Sequence, residues 1–290
     1  MRFVLRKGDI DLGLAPEEGG CVTHLTWQGR PVLRPVLPAT SARPFDARDF
    51  AAFPLIPFSG RIEKGRMQIG GKCIDLAPNM APEPHAIHGH GWQTAWQVAH
   101  RSEDMACLNY SYGDGDWPWP YHAQQIFQLL PDGIVLRLQL TNLGGSDMPA
   151  GIGWHPYFPR AHAHLSLPSQ ALWPSGKQGL DRAPIALTPR TQLQKMRRVS
   201  DLQLDNCYDV EEGPFHMLWP EYSVAIRPGP VFGKAIVYIP DAEPFFCVEP
   251  VSHAPNAVNA KLDAVTTGLK WLRPRQTLSG TILLQVTPIP

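Results

Sequence analysis

Three short segments place ionisable side chains inside otherwise apolar, strand-forming stretches. In Pro84-His85-Ala86-Ile87-His88-Gly89-His90-Gly91-Trp92, three histidines fall within six positions. Neutral imidazole is a common metal ligand and also a proton carrier near neutral pH. In Gly151-Ile152-Gly153-Trp154-His155-Pro156-Tyr157-Phe158, a histidine framed by aromatics stands before a proline, which confines its backbone to extended space. In Phe245-Phe246-Cys247-Val248-Glu249-Pro250-Val251-Ser252-His253, alternation puts Phe245, Cys247 and Glu249 on one face and Phe246 and Val248 on the other. Glu249 thus ends an apolar strand, where an ionised carboxylate is costly unless paired. Burial raises such a carboxyl and hydrogen-bond donors lower it, which is the tuning a general base requires.

Each segment also has a bland reading. A lone histidine like His155 is more often a satisfied core residue than a catalyst, and Glu249 serves equally well as half of a buried salt bridge. The histidine cluster invites comparison with cupins, where HxH is followed about four residues later by Glu. Here His88-x-His90 runs into Trp92, Gln93, Thr94, Ala95 and Trp96, and the next carboxylate is Glu103, so that reading lacks its third ligand. Taken together, one Glu and one His on a β scaffold meet the demands of anomeric interconversion. A base takes the proton of the C1 hydroxyl, an acid protonates the ring oxygen, the C1–C2 bond rotates, and the steps reverse. Positioned acid–base groups contribute on the order of 10²–10⁴-fold each.

The elements that must hold these groups read as short strands. Candidates are residues 3–5, 21–27, 66–76, 95–100, 107–112, 124–130, 134–141, 216–219, 222–227, 235–239, 245–248 and 281–287. The clearest is 134–141, where Ile134, Leu136, Leu138 and Leu140 share one face and Val135, Arg137, Gln139 and Thr141 the other, a period of two. Pro131-Asp132-Gly133 before it predicts a hairpin turn in which Pro presets φ and Gly takes a positive φ. No long stretch carries a 3.6-residue stripe free of Pro or Gly. Strands with turn signals at this spacing indicate an all-β sandwich or barrel. No linker or repeat is visible, so a single domain over 1–290 is expected, with residues 178–201 as a long surface excursion.

Composition narrows the partners. The chain has 290 residues, 43% hydrophobic, so it can bury a real core. Lys plus Arg and Asp plus Glu both total 26. With the densest basic stretch only Lys195-Met196-Arg197-Arg198, neither nucleic acid nor an anionic membrane is an expected partner. Five scattered cysteines, an odd number without CxxC spacing, argue against a disulfide framework and a structural zinc site. No signal-type h-region or long apolar run is visible, so a reducing, cytoplasmic setting is expected.

In order along the chain, these motifs resemble the aldose 1-epimerase (galactose mutarotase) family. Pro54-Leu55-Ile56-Pro57-Phe58-Ser59-Gly60-Arg61-Ile62 is similar to the family's arginine segment, and His85-Ala86-Ile87-His88-Gly89 with Trp96 to its HG…W segment. Trp119-Pro120-Tyr121 is similar to its YP stretch, Gly153-Trp154-His155-Pro156-Tyr157-Phe158 to its HPYF motif, and Val248-Glu249 through Asn259 to its late glutamate motif. The resemblance implies a large antiparallel β-sandwich, the galactose mutarotase-like supersandwich. It implies an isomerase acting on a free monosaccharide, without metal or cofactor, as monomer or homodimer. It further implies Glu249 as general base, His155 as general acid, and His88, Arg61 and Asp205 as substrate-binding residues, with Asp209 an alternative to Asp205. Trp92 would face the sugar or serve the core.

Two departures stand out: Gly60 precedes Arg61 where many members have Asn, and no Gln lies between Asp205 and Glu249, which weakens a preference for galactose. Two alternatives remain at this stage. One is a hexose-6-phosphate 1-epimerase using Arg61, Lys64 and Arg66; the other is a non-catalytic sugar-binding sandwich.

Overall fold

The period-two pattern at 134–141 becomes one arm of the longest hairpin. In the computed structural model, which describes residues 1–37, 45–174, 180 and 183–289, strands Tyr121–Leu130 and Gly133–Asn142 pair antiparallel across Pro131-Asp132. Ile134, Leu136, Leu138 and Leu140 are all buried, as the alternation requires. One detail differs from expectation. Gly133 does not take a positive φ; it opens the strand, and a Cβ there would lie 2.0 Å from the Leu284 carbonyl oxygen. Close approach of the next strand, rather than turn conformation, demands glycine.

The chain forms the expected large antiparallel all-β fold. One sheet runs in the order Gln97–Arg101, Met105–Tyr112, Tyr121–Leu130, Gly133–Asn142, Thr277–Pro288, Tyr222–Pro228, Phe215–Leu218, His164–Ser166 and Arg197–Arg198. The larger sheet runs Phe3–Lys7, Ile10–Ala15, Cys21–Trp27, Ala52–Leu55, Gly153–Pro159, Phe245–Val251, Lys234–Ile239, Leu204–Val210, Ser169–Trp173 and Ile185–Ala186, with Arg30–Pro31 paired to Cys21–Trp27. The only α-helix among the described residues is the four-residue Ala264–Thr267, and no helix there is long and apolar enough to cross a membrane. All five cysteines are unpaired.

Alternation sorts the larger sheet into two faces. Trp154, Phe158, Tyr208, Val237, Phe246 and Val248 join one buried cluster with Leu136, Leu138 and Ile282 of the other sheet; this is the inner face. Phe53, Tyr157, Cys207, Ile236 and Cys247, each one residue out of step, form a second cluster with Trp92 and Trp173 on the outer face.

Some elements depart from the sequence expectation. Residues 66–76 form two strands, Arg66–Ile69 and Lys72–Asp75, because Gly70 and Gly71 both adopt positive φ and turn the chain. Ile10–Ala15, Ala52–Leu55, Ser169–Trp173 and Leu204–Val210 are strands that the sequence reading did not anticipate. Of the 178–201 excursion, residues 178, 179, 181 and 182 lie outside the described residues. The rest holds only the two-residue strands Ile185–Ala186 and Arg197–Arg198 and a single 3₁₀ turn, Val199–Asp201.

Candidate functional site

The outer face places its functional side chains in one row of cross-strand neighbours. Phe53 stands opposite His155. The register that pairs Gly153 with Val251 and Tyr157 with Cys247 sets His155 opposite Glu249. Glu249 pairs with Ile236, Ile236 with Cys207, and Cys207 with Trp173. The two prolines act at this row. The Ser252 N–H donates to the Ile152 carbonyl at 2.9 Å, which makes 154/250 and 156/248 the pairs whose N–H groups should point across. Residues 250 and 156 are both proline, and each lacks that donor. The ladder between these two central strands is therefore interrupted where His155 and Glu249 meet.

Above the row lies a cavity of about 380 Å³, a size typical of small-molecule sites. It is lined by all five residues expected from sequence: Glu249, His155, His88, Arg61 and Asp205. His155 Nε2 is 3.2 Å from Glu249 Oε1. Phe53 and Tyr157 stack against the His155 ring at centroid distances of 4.4 and 4.7 Å, and His88 meets it edge-on at 5.5 Å. Neither Glu249 Oε2 nor His155 Nδ1 has a hydrogen-bond partner among the described residues. Burial lowers His155 to about 3, its own backbone opposing and the Arg34 charge assisting. Burial likewise pushes Glu249 well above the usual carboxylate range, and nearby Asp205 adds to this against the opposing pull of Arg61. Burial favours the neutral form of each, so the two groups meet at that contact as an acid and an imidazole rather than as a buried ion pair.

His88 and Arg61 are fixed by reciprocal bonds between loops. The Gly60 N–H donates to His88 Nδ1 at 3.2 Å, and the His88 N–H donates to the Gly60 carbonyl at 2.9 Å. With Nδ1 accepting, the neutral His88 ring carries its proton on Nε2. Burial, assisted by His155 and Arg61, holds His88 well below its ordinary value, so it stays neutral. His88 itself has φ +59°, a left-handed strain of the kind found at binding sites. Gly60 has φ +65°, a conformation that Asn also tolerates; glycine in place of Asn before Arg61 therefore leaves the turn intact. His90 points elsewhere, stacking on Tyr112 at 4.6 Å and reaching Asp116 at 3.1 Å. The HxH pair therefore does not converge on a metal.

Asp205, not Asp209, lines the cavity. Asp209 is engaged by Lys234 at 2.5 Å and by the Trp173 indole at 2.7 Å. Asp205 is exposed to solvent, yet it sits in a concave cleft crowded by protein. That desolvation raises its carboxyl, Arg61 opposing and Glu83 adding. Trp92 lines the cavity and also packs on Phe53 at 5.2 Å, serving the site and its support together. Glu83, Arg48, Trp173 and Tyr238 also line it and were not anticipated. Glu83 grips Arg61 through two bonds of 3.0 and 3.3 Å. Its one signal was a carboxylate held between Pro82 and Pro84. One donor atom from each of His155, Cys247 and Glu249 lies within 4.8 Å of the others, a set able to hold a cation. Another surface cavity, lined by Arg160, His162, His164 and Arg198, contains none of these groups.

The aldose 1-epimerase family model matches residues 14–284. The uncharacterized Escherichia coli K12 protein YphB is 28% identical over 265 residues, covering 88% of this chain and 89% of that protein. A crystal structure of a candidate aldose 1-epimerase from the same organism superposes with a TM-score of 0.88 at 26% identity, over 100% of this chain and 99% of the other. A galactose mutarotase-like protein from Clostridium acetobutylicum gives 0.86 at 18% identity, over 99% and 95%, a likeness of fold.

Proposed function

The chain belongs to the aldose 1-epimerase family, and on that premise we propose that it interconverts the α and β anomers of an unphosphorylated aldose, with Glu249 and His155 relaying the protons. The observation that carries this reading is their 3.2 Å contact on the floor of a sugar-sized cavity, with Glu249 Oε2 left unpaired. Turnover starts when the pair's one proton passes from Glu249 to His155 across that contact; Glu249 then takes the proton of the C1 hydroxyl as His155 gives its own to the ring oxygen. Ring opening thereby returns the pair to carboxylic acid and neutral imidazole; after the C1–C2 bond rotates, closure on either face of the aldehyde runs both transfers in reverse. The pair holds one transferable proton throughout, so catalysis relocates charge without adding any to a buried site. His88 offers an Nε2–H donor, Arg61 donates to hydroxyls, and Asp205 accepts from them. All of these residues come from one chain.

Charge pairing supports a sugar without phosphate. The two lining arginines are already matched, Arg61 by Glu83 at 3.0 Å and Arg48 by Asp46 at 2.6 Å. Glu83, Asp205 and Glu249 also line the cavity. Lys64 and Arg66 do not line it, and Arg66 pairs with Asp75. Polarimetry on freshly dissolved α-aldoses, run beside their 6-phosphates, tests the reading. Accelerated mutarotation of free sugars is expected. A strong preference for a phosphate would overturn the substrate, and no acceleration across the panel would overturn the enzyme in favour of a binding module.

A further inference from the structure

Cys247 stands beside the proposed relay and has no part in it. It shares a strand and a face with Glu249, two residues away, and lies opposite Tyr157 in the ladder. An imidazole nitrogen of His155, the Cys247 sulfur and a carboxylate oxygen of Glu249 lie within 4.8 Å of one another, and all three residues are buried. From this geometry we propose that the three form a binding site for a thiophilic divalent cation of the zinc class, and that the bound ion takes the catalytic pair out of turnover.

The donor set selects the metal. Mixed nitrogen, sulfur and oxygen ligands suit zinc, whereas magnesium and calcium want oxygen alone. Zinc bonds of about 2.0–2.3 Å put tetrahedral ligands roughly 3.3–3.8 Å apart, so the present spread must close by about 1 Å. Glu249 Oε2 is buried without a protein partner, which gives a cation an acceptor that no other group claims. Net charge also fits: a thiolate, a carboxylate and a neutral imidazole together cancel a divalent ion, and burial is least costly for a neutral complex. Two protons leave to solvent as the metal bonds form, that of the Cys247 thiol and the one held by the Glu249–His155 pair. His155 and Glu249 line the cavity, so the fourth ligand position opens onto it and takes water or a sugar hydroxyl.

The binding half of this proposal stands on geometry, and only the inhibitory half rests on the mutarotase reading. Cobalt(II) titration of the full chain tests the first. One equivalent is expected to bind with a near-ultraviolet sulfur-to-cobalt charge-transfer band that zinc abolishes. Cys247→Ala should lose the band and bind zinc at least about tenfold more weakly in equilibrium dialysis. Should the alanine variant fail to fold, Cys247→Ser, close in size, reports the same loss of the band. In the same preparations, zinc should slow sugar turnover by the wild type, and Cys247→Ala should need at least about tenfold more zinc for equal inhibition. Absence of the band, or equal zinc affinity in the variant, overturns the site. Equal sensitivity of both proteins to zinc overturns the inhibition. Binding through Cys247 in a protein that turns over no sugar would uphold the site and sink the mutarotase reading instead.

Discussion

On the inner face of the larger sheet, Trp154, Phe158, Phe246 and Val248 pack against the second sheet; one residue along the same strands, His155, Tyr157, Cys247 and Glu249 look the other way. Both faces are buried, so burial does not separate core from site. Between two buried histidines, pairing does. His253, near the end of the same segment, is also buried and pushed down to about 4 by burial. Its Nδ1–H donates to the Ala254 carbonyl at 2.7 Å, and its Nε2 accepts from the Ser59 N–H at 3.1 Å. Both nitrogens are used, and the residue clips two loops together. His155 keeps one nitrogen against a carboxylate and the other without a partner. A buried histidine with both nitrogens paired holds structure; one with spare capacity that faces a cavity is available for chemistry.

The largest effect expected from that contrast is at Glu249. Glu249→Gln should lower kcat by about 10²–10⁴-fold while sugar binding, read by calorimetry, stays within a few-fold. Its stability should move the opposite way. The Glu249 carboxyl is raised on folding, so its contribution is fully present below the ordinary carboxylate value and is lost as pH rises toward the folded one. Gln does not titrate, and the variant's Tm should gain on the wild type across that window. Wild-type activity should be flat through the acid and neutral range, since adding a second proton to the pair requires pH near 3. It should fall on the alkaline side as the pair loses its last proton. An acid limb near neutrality, with no alkaline one, would break the single-proton account.

Phe246, three residues earlier, tests the other face. Phe246→Ala should cost about 3–5 kcal/mol in denaturant titration and leave kcat of the folded fraction within a few-fold. A loss of activity comparable to that of Glu249→Gln would show that the two faces are not functionally separate.

How much of this was legible depended on parity. The 134–141 hairpin and the faces of 245–251 follow from period two, and so does the placement of Glu249 on one face with Cys247. Strands such as Gly153–Pro159 are buried on both sides, which erases the polar–apolar alternation that marks a half-buried strand. Ile10–Ala15 carries Gly13, Ala52–Leu55 carries Pro54, and Leu204–Val210 carries two aspartates, residues that read as breakers. Asp205 and Asp209 share one face of their strand, so no local rule could choose between them; Lys234 and Trp173 choose, from other strands. Glu83 meets Arg61 because the strands Arg61–Ile62 and Ala86–Ile87 pair, a non-local event without a local signature.

The two histidines sharpen the comparison next. The His253 imidazole is depressed on folding, so its contribution is present above 6.5 and lost as pH falls toward about 4. That linkage is on the order of 3 kcal/mol for a fully buried ring. Replacing it, as His253→Gln, should lower Tm at neutral pH and flatten the acid slope of the stability curve, with kcat of the folded protein little changed. His155→Gln should lower kcat instead. Interchange of these two phenotypes would refute the pairing criterion.

The smallest expected effect lies within the outer face itself. Arg61 is drawn two ways: burial lowers its pKa, but the Glu83 bond and the nearby charges of Asp205, Glu83 and Glu249 outweigh this and leave it raised. Its charge is therefore present and already answered by Glu83. Glu83→Gln keeps the shape of the loop and one hydrogen bond, and leaves that charge free to meet an anion in the cavity. Both partners are about a quarter exposed, so solvent screens the change, and about 1 kcal/mol is the appropriate scale. The ratio of kcat/KM for a sugar 6-phosphate or a uronic acid over the neutral aldose should rise by about 3–10-fold. Most of the gain should lie in KM, since the relay is untouched. A ratio that stays fixed, or moves toward neutral sugars, would mean that Glu83 braces the loop without setting charge selectivity, and that pairing on this face is structural after all.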